Sequence, residues 1–528
     1  MSLFSLLYGS FNLLFAQSNF APLSSEDIEE KNEIWALYPG LKVSADYRLH
    51  AFQIDSNTLP PREEEDPDPK ALLFEHELRV NLRSSVHRNL SINLEIEINQ
   101  ESIQDADFRS ERVSGKTTDS QVAQIQARQA FLEYNSNPRN ILRVGKQPFN
   151  IGDRQGKVFS GILTGLSQNC AAGTWCYELA AAKLGNHPAD WLYLGSLDYP
   201  VFEDKNSDGT VMNRLNVEIF RIFYTERDVP LGKSNGSALR DEASSDRIAE
   251  VYLDGSEEEK QNARALSGQI IDRQGRPLYY DALQQQYFGL RLEWEISSFF
   301  LRFDITSNQG IRKYHLAENS NGNLEKPDFG ENSDKFKNSQ KAKRSLAGVV
   351  SELEMKYQLN AHQFGFRGMV ASGDKEKLDT ENTGLNFLRT LNSYYEIAPG
   401  SYRGTNFYFN GGGLDMTGGT GLGHSVSNTS LWGGWYRWDL ADVDVFLKTQ
   451  LFKLSRTQSV YNEVGDLVED IGLEWDNTVS WKPDKNLNTE FEVNAFQAGK
   501  AFTLNDNQTP IKKNDPVIQL AARVYYSF

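Results

Sequence analysis

Apolar and polar residues alternate with a period of two along most of this chain, in segments of about ten residues. In residues 90–99 every second position is Leu or Ile, and Ser, Asn or Glu stands between them. Residues 517–528 alternate in the same way and end in aromatic side chains. Such alternation places one chemical type on each face of a β-strand. The pattern therefore predicts strands with one apolar and one polar face.

The alternating segments follow one another along almost the whole chain. The predicted strands cover residues 42–54, 72–83, 90–99, 130–134, 142–144, 157–166, 191–199, 214–224, 287–296, 299–305, 346–358, 362–372, 427–438, 441–453, 471–482, 487–496 and 517–528. Short turns between these strands alternate with long polar stretches such as 226–284 and 306–345. This rhythm is typical of an antiparallel up-and-down β-barrel.

The fold class that we predict is all-β: a transmembrane antiparallel up-and-down β-barrel of about 18 strands, with short periplasmic turns and long extracellular loops. An alternative of 16 strands stays open, in which residues 157–166 fold inward as a constriction. No stretch approaches the roughly 18 consecutive apolar residues that a membrane helix needs, which excludes helical membrane proteins. The negative mean hydropathy is expected of a barrel, because only every second strand residue meets lipid.

The two ends of the chain indicate export to the bacterial outer membrane. Residues 1–16 form an apolar run that ends in Ala16 and is typical of a signal peptide. Residues 17–41 are then a short periplasmic segment, and residues 42–528 form a single barrel domain. The terminal Phe528 resembles the C-terminal signature of outer-membrane proteins that their assembly machinery reads. The expected partners are therefore outer-membrane lipid and this machinery.

Many charged residues fall on the polar face that would line the lumen. A dry core would not tolerate them, so the face requires a water-filled interior. Six arginines lie there by their alternation: Arg48, Arg79, Arg291, Arg302, Arg367 and Arg523. They either pair with neighbouring acids and stiffen the wall, or form a selectivity ring for an anionic solute. Inward acids outnumber inward bases, so a pore for cations or neutral solutes stays open.

The segment RQAFLEY followed by ILRVGKQPFNIGD, from Arg128 to Asp153, resembles paired strands of the alginate-export family of outer-membrane barrels. The motif VASGD at residues 370–374 and the hairpin at residues 472–502 resemble that family as well. The resemblance implies an 18-stranded barrel that passes an anionic polysaccharide through an arginine-rich constriction. Carried over by position, the pore residues are Arg143, Gln147 and Arg154.

Two basic residues of the same segment fall on the outward parity of their strands. Lys146 stands where the alginate-export family often has Arg, and Arg128 opens the segment. We expect both at the membrane interface, unless a β-bulge shifts the register.

Two smaller motifs predict structural features of the connections. Asp204, Asn206 and Asp208 match the first half of a calcium-binding loop, but Leu215 stands where the bidentate acid belongs. Calcium is thus a possible structural ion, with an Asx-rich turn as the alternative, and no other cofactor is expected. Cys170 and Cys176 are the two cysteines of the chain, and an oxidising envelope favours a disulfide between them.

The expected function is a porin-like channel for passive passage of hydrophilic, anionic saccharide or polysaccharide solutes. An outer-membrane adhesin or receptor that acts through its long loops is the alternative. An outer-membrane hydrolase is disfavoured, because no histidine accompanies a nucleophile motif such as GxSxG. The chain is therefore not expected to be an enzyme. A net charge of -17 argues against nucleic-acid binding.

Overall fold

The computed structural model describes residues 40–55, 71–103, 124–137, 140–151, 157–172, 175–183, 190–206, 211–227, 278–316, 340–373, 387–397, 402–409, 424–461, 467–502 and 516–528. The expected signal peptide and most of the expected periplasmic segment, residues 1–39, lie outside these ranges.

Nineteen strands account for nearly all of the described chain. They are β1 (Leu41–Asp55), β2 (Ala71–His87), β3 (Leu90–Ile103), β4 (Gln124–Asn137), β5 (Asn140–Ile151), β6 (Phe159–Ala172), β7 (Trp175–Lys183), β8 (Trp191–Lys205), β9 (Val211–Arg227), β10 (Leu278–Ile296), β11 (Phe299–Leu316), β12 (Gln340–Leu359), β13 (His362–Ala371), β14 (Phe387–Leu391), β15 (Thr429–Leu440), β16 (Val445–Tyr461), β17 (Leu467–Asp484), β18 (Leu487–Ala498) and β19 (Val517–Ser527). A single 3-10 turn, Ala441–Val443, connects β15 to β16.

The sheet closes on itself as an antiparallel barrel. β1 pairs with β2 on one side and with β19 on the other, so no edge is left open. β14 differs from the rest, because it runs parallel to β12 and belongs to the connection between β13 and β15. The barrel wall therefore has 18 strands, as the sequence predicts. The 16-strand alternative is wrong, because residues 159–172 pair with both β5 and β7 in the wall.

The connections differ in length at the two ends of the barrel. The first residue of β1, the last residue of β19 and the strand ends that flank residues 88–89, 138–139, 173–174, 206–210, 297–298, 360–361, 441–444 and 485–486 lie at one end of the barrel, which we name the short-turn end. The strand ends that flank residues 228–277, 317–339 and 372–428 lie at the opposite end, the long-loop end. Both predicted long loops are shorter than expected: β10 begins at Leu278, inside the first, and β11 extends to Leu316 while β12 begins at Gln340, inside the second.

The outer wall exposes large apolar side chains. Leu132, Ile219, Leu451 and Val493, for example, are each about half exposed. Aromatic side chains of the outer wall gather near the short-turn end: Tyr134, Trp175, Trp294, Tyr357, Phe364, Trp438, Trp481, Tyr526 and Phe528. An apolar band edged by aromatic residues is the surface that a lipid bilayer requires of a barrel. No helix of the described chain is long and apolar enough to cross a membrane.

The inner wall is apolar on one side of the barrel, which the alternation pattern did not predict. On strands β5–β9 the buried inner positions include Phe149, Leu163, Leu194, Phe220 and Ile222. They pack closely; a Cβ atom added at Gly289 would lie 1.9 Å from the ring of Phe220. This also explains why β7 was missed. Its inward Ala180 and Ala182 are as apolar as its outward Leu179, so the strand lacks contrast between its faces.

Candidate functional site in the lumen

Two rows of acidic and basic side chains cross the inner wall on strands β9–β13. We name this group the central ladder; its members are Glu218, Arg291, Arg302, Asp304, Glu352, Glu354 and Arg367. The backbone register aligns the first row from Glu218 through Arg291 and Asp304 to Glu352, and the second from Arg302 through Glu354 to Arg367. Directly opposed residues on one face lie about 5 Å apart, so each arginine lies next to carboxylates on the neighbouring strands.

The arginines of the central ladder are fully engaged with carboxylates. Arg291 donates to Asp304 at 2.7 Å and to Glu218 at 2.6 Å. Arg302 lies 3.1 Å from Asp304, 3.1 Å from Glu352 and 2.8 Å from Glu354. Arg302, Asp304, Glu352 and Glu354 are all buried. Because buried charges are tolerated only when paired and hydrogen-bonded, these groups hold one another in place.

A lysine from a connection at the long-loop end completes the central ladder. Lys157 precedes β6, and its Nζ lies 2.7 Å from Glu352 and 3.4 Å from Asp304. The Lys157 side chain is 1% exposed. The ladder holds four carboxylates and three guanidinium groups, so Lys157 brings its formal charge from -1 to zero. The connection before β6 is thereby tied to the far wall of the barrel.

A second set of ion pairs, the terminal ladder, lines the inner wall where the chain ends meet. It runs over strands β18, β19 and β1–β5. Its ion pairs are Arg523 with Glu490 and Glu492, Arg79 with Glu77 and Glu97, Arg128 with Glu95 and Glu97, and Arg83 and Arg143 with Glu133. Arg83 and Arg143 are more exposed to solvent than the other arginines of this ladder, with side chains 22% and 16% exposed.

Arg128 faces inward, against its expected place at the membrane interface. The register of β3 and β4 pairs Glu95 with Gln129 but Ile96 with Ala127, so Arg128 is the extra residue of a β-bulge. The bulge shifts the parity and brings Nε of Arg128 to 3.2 Å from Glu97. Lys146 keeps its outward parity, and its Nζ donates to the carbonyl of Ala127 at 2.6 Å.

Part of the connection between β13 and β15 folds into the lumen. We name residues 392–397 and 402–409 the strap. Nearly all strap residues are buried, among them Tyr394, Tyr402 and Phe409. The strap lies directly on the wall at one point, since a Cβ atom added at Gly348 would lie 2.3 Å from the carbonyl oxygen of Ser393. Only glycine allows that approach.

Two buried carboxylates of β17 hold the second half of the strap. Glu474 accepts the backbone N–H of Phe407 at 2.7 Å on one oxygen and that of Tyr408 at 3.1 Å on the other. Asp476 accepts the backbone N–H of Asn406 at 3.2 Å. From the opposite side, Arg367 of the central ladder donates to the carbonyl of Gly404 at 2.8 Å. Three consecutive amides and one carbonyl of the strap are thus bound by charged groups.

The first half of the strap binds the connection that carries Lys157. Tyr394 donates its hydroxyl to the carbonyl of Lys157 at 3.1 Å, and the N–H of Ile397 donates to the carbonyl of Val158 at 2.9 Å. Tyr287 on the wall donates its hydroxyl to the carbonyl of Tyr395 at 2.8 Å. The two connections therefore meet inside the lumen and narrow it.

Aromatic packing adds to the hydrogen bonds of the strap. The Tyr408 ring stacks on His424 at 4.4 Å between centroids and on Phe496 at 6.0 Å. The Phe407 ring lies 5.8 Å from Phe496, and Tyr402 meets Phe409 edge to face at 5.0 Å. Such contacts contribute about 0.5–1.5 kcal/mol each beyond the area that they bury. The strap is therefore an ordered part of the interior.

The arginines proposed from sequence do not form one ring. Arg291, Arg302 and Arg367 meet in the central ladder, whereas Arg79, Arg143 and Arg523 belong to the terminal ladder.

The remaining predicted pore residues lie outside both ladders or outside the described residues. Arg48 faces inward and lies over the Tyr525 ring at 5.8 Å. Gln147 is buried and binds Ser167 at 2.9 Å and the Gly165 carbonyl at 3.2 Å, so it fastens β5 to β6. Arg154 lies outside the described residues. Solute binding by any of them stays a prediction.

The expected disulfide is not formed. Cys176 is a free and exposed cysteine. The register of β6 and β7 pairs Cys176 with Ala171 and Cys170 with Tyr177, so the two cysteines are one position out of step. Sequence proximity therefore does not make the two cysteines cross-strand partners in the backbone register.

The calcium prediction is not tested. Asp204 and Asn206 lie at the end of β8 and just after it, and Asp208 lies outside the described residues. Within the described chain, no cluster of three or more His, Cys, Asp or Glu side chains is suited to bind a metal ion.

The groups that hold the strap could not be recognised from the sequence. Glu474 and Asp476 fall on the polar face of the predicted strand 471–482, and nothing in their alternation distinguishes them from other inward acids. Lys157 was assigned only to a strand. The sequence signal available for the strap is its density of aromatic residues, with Tyr394, Tyr402 and Phe407 in a stretch without alternation. A solvated loop does not require so many large apolar side chains.

Comparisons with known proteins give similarity in structure only. No protein-family model matches the chain, and no curated protein matches it. The structure is similar to Pseudomonas aeruginosa OccK5 (OpdH), at 11% identity over 92% of this chain and 98% of that chain, with a TM-score of 0.46. It is similar to P. aeruginosa OccK2 (OpdF) in complex with glucuronate, at 10% identity, 92% and 98% coverage and a TM-score of 0.47.

A BenF-like porin from Pseudomonas fluorescens Pf-5 is also similar, at 8% identity over 92% of this chain and 98% of that chain, with a TM-score of 0.47. Nothing in these comparisons points specifically to the alginate-export family.

Proposed function

We propose that this protein is an outer-membrane porin that lets small hydrophilic solutes, in particular anionic sugars, diffuse through its lumen. The observation that carries the proposal is the contrast between the two faces of the closed 18-strand wall. The outer face exposes apolar side chains edged by aromatic residues, whereas much of the inner face carries paired charges. A barrel of 16–18 strands encloses an aqueous channel. Contact with the assembly machinery remains a prediction from Phe528.

The strap and the two ladders support a channel that selects small solutes. The strap narrows the interior between the central ladder and β17, so a folded polymer is a poor fit. The charges along the path belong to side chains fixed by ion pairs, which preserves their geometry as a solute passes. We therefore propose single sugars and short oligosaccharides as solutes.

Uptake by proteoliposomes tests this function. Vesicles that contain the purified full-length protein should swell in isotonic glucuronate and glucose, and should not swell in a dextran of several kilodaltons. Vesicles with heat-unfolded protein serve as the control for leakage. A properly folded protein that admits none of these solutes would rule out the porin proposal.

The preference of the channel for anions or cations should depend on Arg83 and Arg143, the most solvent-exposed arginines of the terminal ladder. We expect Arg83→Gln with Arg143→Gln to lower the anion-over-cation permeability ratio by about threefold, because Glu133 then faces the lumen without a counter-charge. The reversal potential in a KCl gradient across a planar bilayer measures the ratio. Arg221→Gln, on the outer wall, is the matched control and should leave it unchanged. An unchanged ratio in the double variant would remove these arginines from the selectivity of the pore.

A further inference from the structure

One tryptophan of the barrel interior lies flat against the wall beside the strap. Trp435 on β15 faces the lumen opposite Gly365 of β13, and a Cβ atom added at Gly365 would lie 2.0 Å from the indole. Any larger residue at position 365 would lift the ring off the wall. Trp435 is only partly buried, so an indole surface remains accessible from the lumen.

Three cations border this indole. Lys356 is the neighbour of Gly365 on β12, while Arg437 and Lys448 occupy the next inward row toward the short-turn end. Nζ of Lys448 lies 5.7 Å from the centroid of Trp435. Each of the other two also lies over a ring, Lys356 over Phe300 at 4.9 Å and Arg437 over Phe446 at 4.0 Å. Aromatic rings thus hold all three cations in place.

The cations differ in how far they are neutralised. Lys356 pairs with Glu354 at 3.1 Å, and Arg437 pairs with Asp439 at 2.6 Å. Lys448 forms no ion pair with a carboxylate in the described part of the chain. Its diagonal neighbour Asp476 is bound to the strap and to Gln450 instead, at 3.2 and 2.8 Å. Lys448 is therefore the cation of this patch whose ammonium is not bound directly by a carboxylate in the described part of the chain.

Polar groups that can bind hydroxyls lie at the rim of the indole. Gln450 is the cross-strand neighbour of Trp435, and its amide donates to the side-chain carbonyl of Asn406 in the strap at 3.1 Å. Thr478 lies opposite Lys448 on β17. A flat aromatic surface, an ammonium that no carboxylate binds directly, and amide and hydroxyl groups at one edge match the parts of a sugar acid: its C–H face, its carboxylate and its hydroxyls.

We infer that Trp435 and Lys448, with Arg437 and Lys356 at their side, form a binding subsite for a sugar acid next to the strap. The pyranose ring stacks on the indole, and the carboxylate binds the Lys448 ammonium. This inference rests on the proposed function, and it names the class of solute and the place in the lumen where that solute binds. The residues that select the solute then lie outside the central ladder, whose arginines are already paired with carboxylates.

Calorimetric titration of the full-length protein in detergent micelles tests the subsite without requiring conduction. Glucuronate should bind the wild type, and Trp435→Ala should weaken binding about tenfold, which corresponds to roughly 1.4 kcal/mol. Trp435→Phe keeps a smaller ring and should lose less. The matched control is Trp432→Ala, because Trp432 lies three positions away on the outer wall and is 48% exposed. Equal affinities of the wild type and Trp435→Ala would overturn the subsite.

The role of the charge is tested with Lys448→Gln. This variant should lose the preference for glucuronate over glucose, while Lys448→Arg should keep it. Retention of the full preference in Lys448→Gln would overturn the assignment of the carboxylate to Lys448.

Swelling of proteoliposomes, measured in parallel, distinguishes failure of the subsite from failure of the porin function. Vesicles that swell while Trp435→Ala binds normally refute the subsite alone, whereas absence of swelling in the wild type refutes the porin.

Discussion

Replacing Glu474 with glutamine is expected to open the lumen by loosening the strap. Both oxygens of Glu474 accept backbone N–H groups, those of Phe407 and Tyr408. A glutamine amide has one acceptor and one donor, so one of the two N–H groups would meet another donor. A buried polar group left unpaired costs about 1–3 kcal/mol, which raises the population of a displaced strap roughly 5- to 160-fold.

Single-channel recordings in planar bilayers would show this change. We expect the Glu474→Gln conductance to rise by about twofold or to fluctuate between the wild-type level and a higher one, because displacement of the strap widens the path. Glu490→Gln is the matched control, since Glu490 lies on the inner wall, pairs with Arg523 and does not contact the strap. A Glu474→Gln conductance equal to that of the wild type would show that the strap does not limit the flow of ions.

Removing Arg302 should destabilise the barrel more than any other single change in the ladders. Arg302 separates Asp304, Glu352 and Glu354, which are all buried. Without the guanidinium these carboxylates share only Lys157, Arg291, Arg367 and Lys356. Loss of one partner of a buried ion pair costs about 3–5 kcal/mol, because an uncompensated charge is left behind. We expect Arg302→Ala to lower the free energy of unfolding by that amount.

Urea unfolding in lipid vesicles, followed by tryptophan fluorescence, measures the effect. Arg302→Ala combined with Glu354→Gln should recover part of the loss, since the second change removes one of the buried negative charges that the first change leaves uncompensated. Arg221→Ala on the outer wall provides the comparison and should remain within about 0.5 kcal/mol of the wild type. If Arg302→Ala unfolds at the wild-type urea concentration, the central ladder does not contribute to stability as described.

The alternation of apolar and polar residues was sufficient to predict the barrel, because lipid on one side and charges on the other give each strand two distinct faces. Where that contrast disappears, the prediction failed. β7 has Ala180 and Ala182 inside and Leu179 outside, so no polar face marks it. Part of the inner face of β5–β9 lacks the same contrast, since it contributes a packed apolar cluster.

The inward side of the arginines could be predicted from parity, but their partners could not. Arg302 meets Glu354 because of the register between β11 and β12, and Lys157 reaches Glu352 from a distant connection. Register and long-range contacts of this kind depend on the whole barrel. Arg128 illustrates the limit at a single residue, because one bulge reversed its side. The strap has no periodicity at all, so only its aromatic residues distinguish it from a solvated loop.

On the function proposed above, the closed barrel spans a bilayer and conducts water-borne solutes past the strap. Single-channel recording of the purified full-length protein in a planar bilayer tests it most directly. We predict discrete ohmic steps in KCl that glucuronate reduces in a saturable manner. Folded protein that inserts into the bilayer and produces no conductance steps would contradict the claim, and would favour a receptor that acts through its long connections.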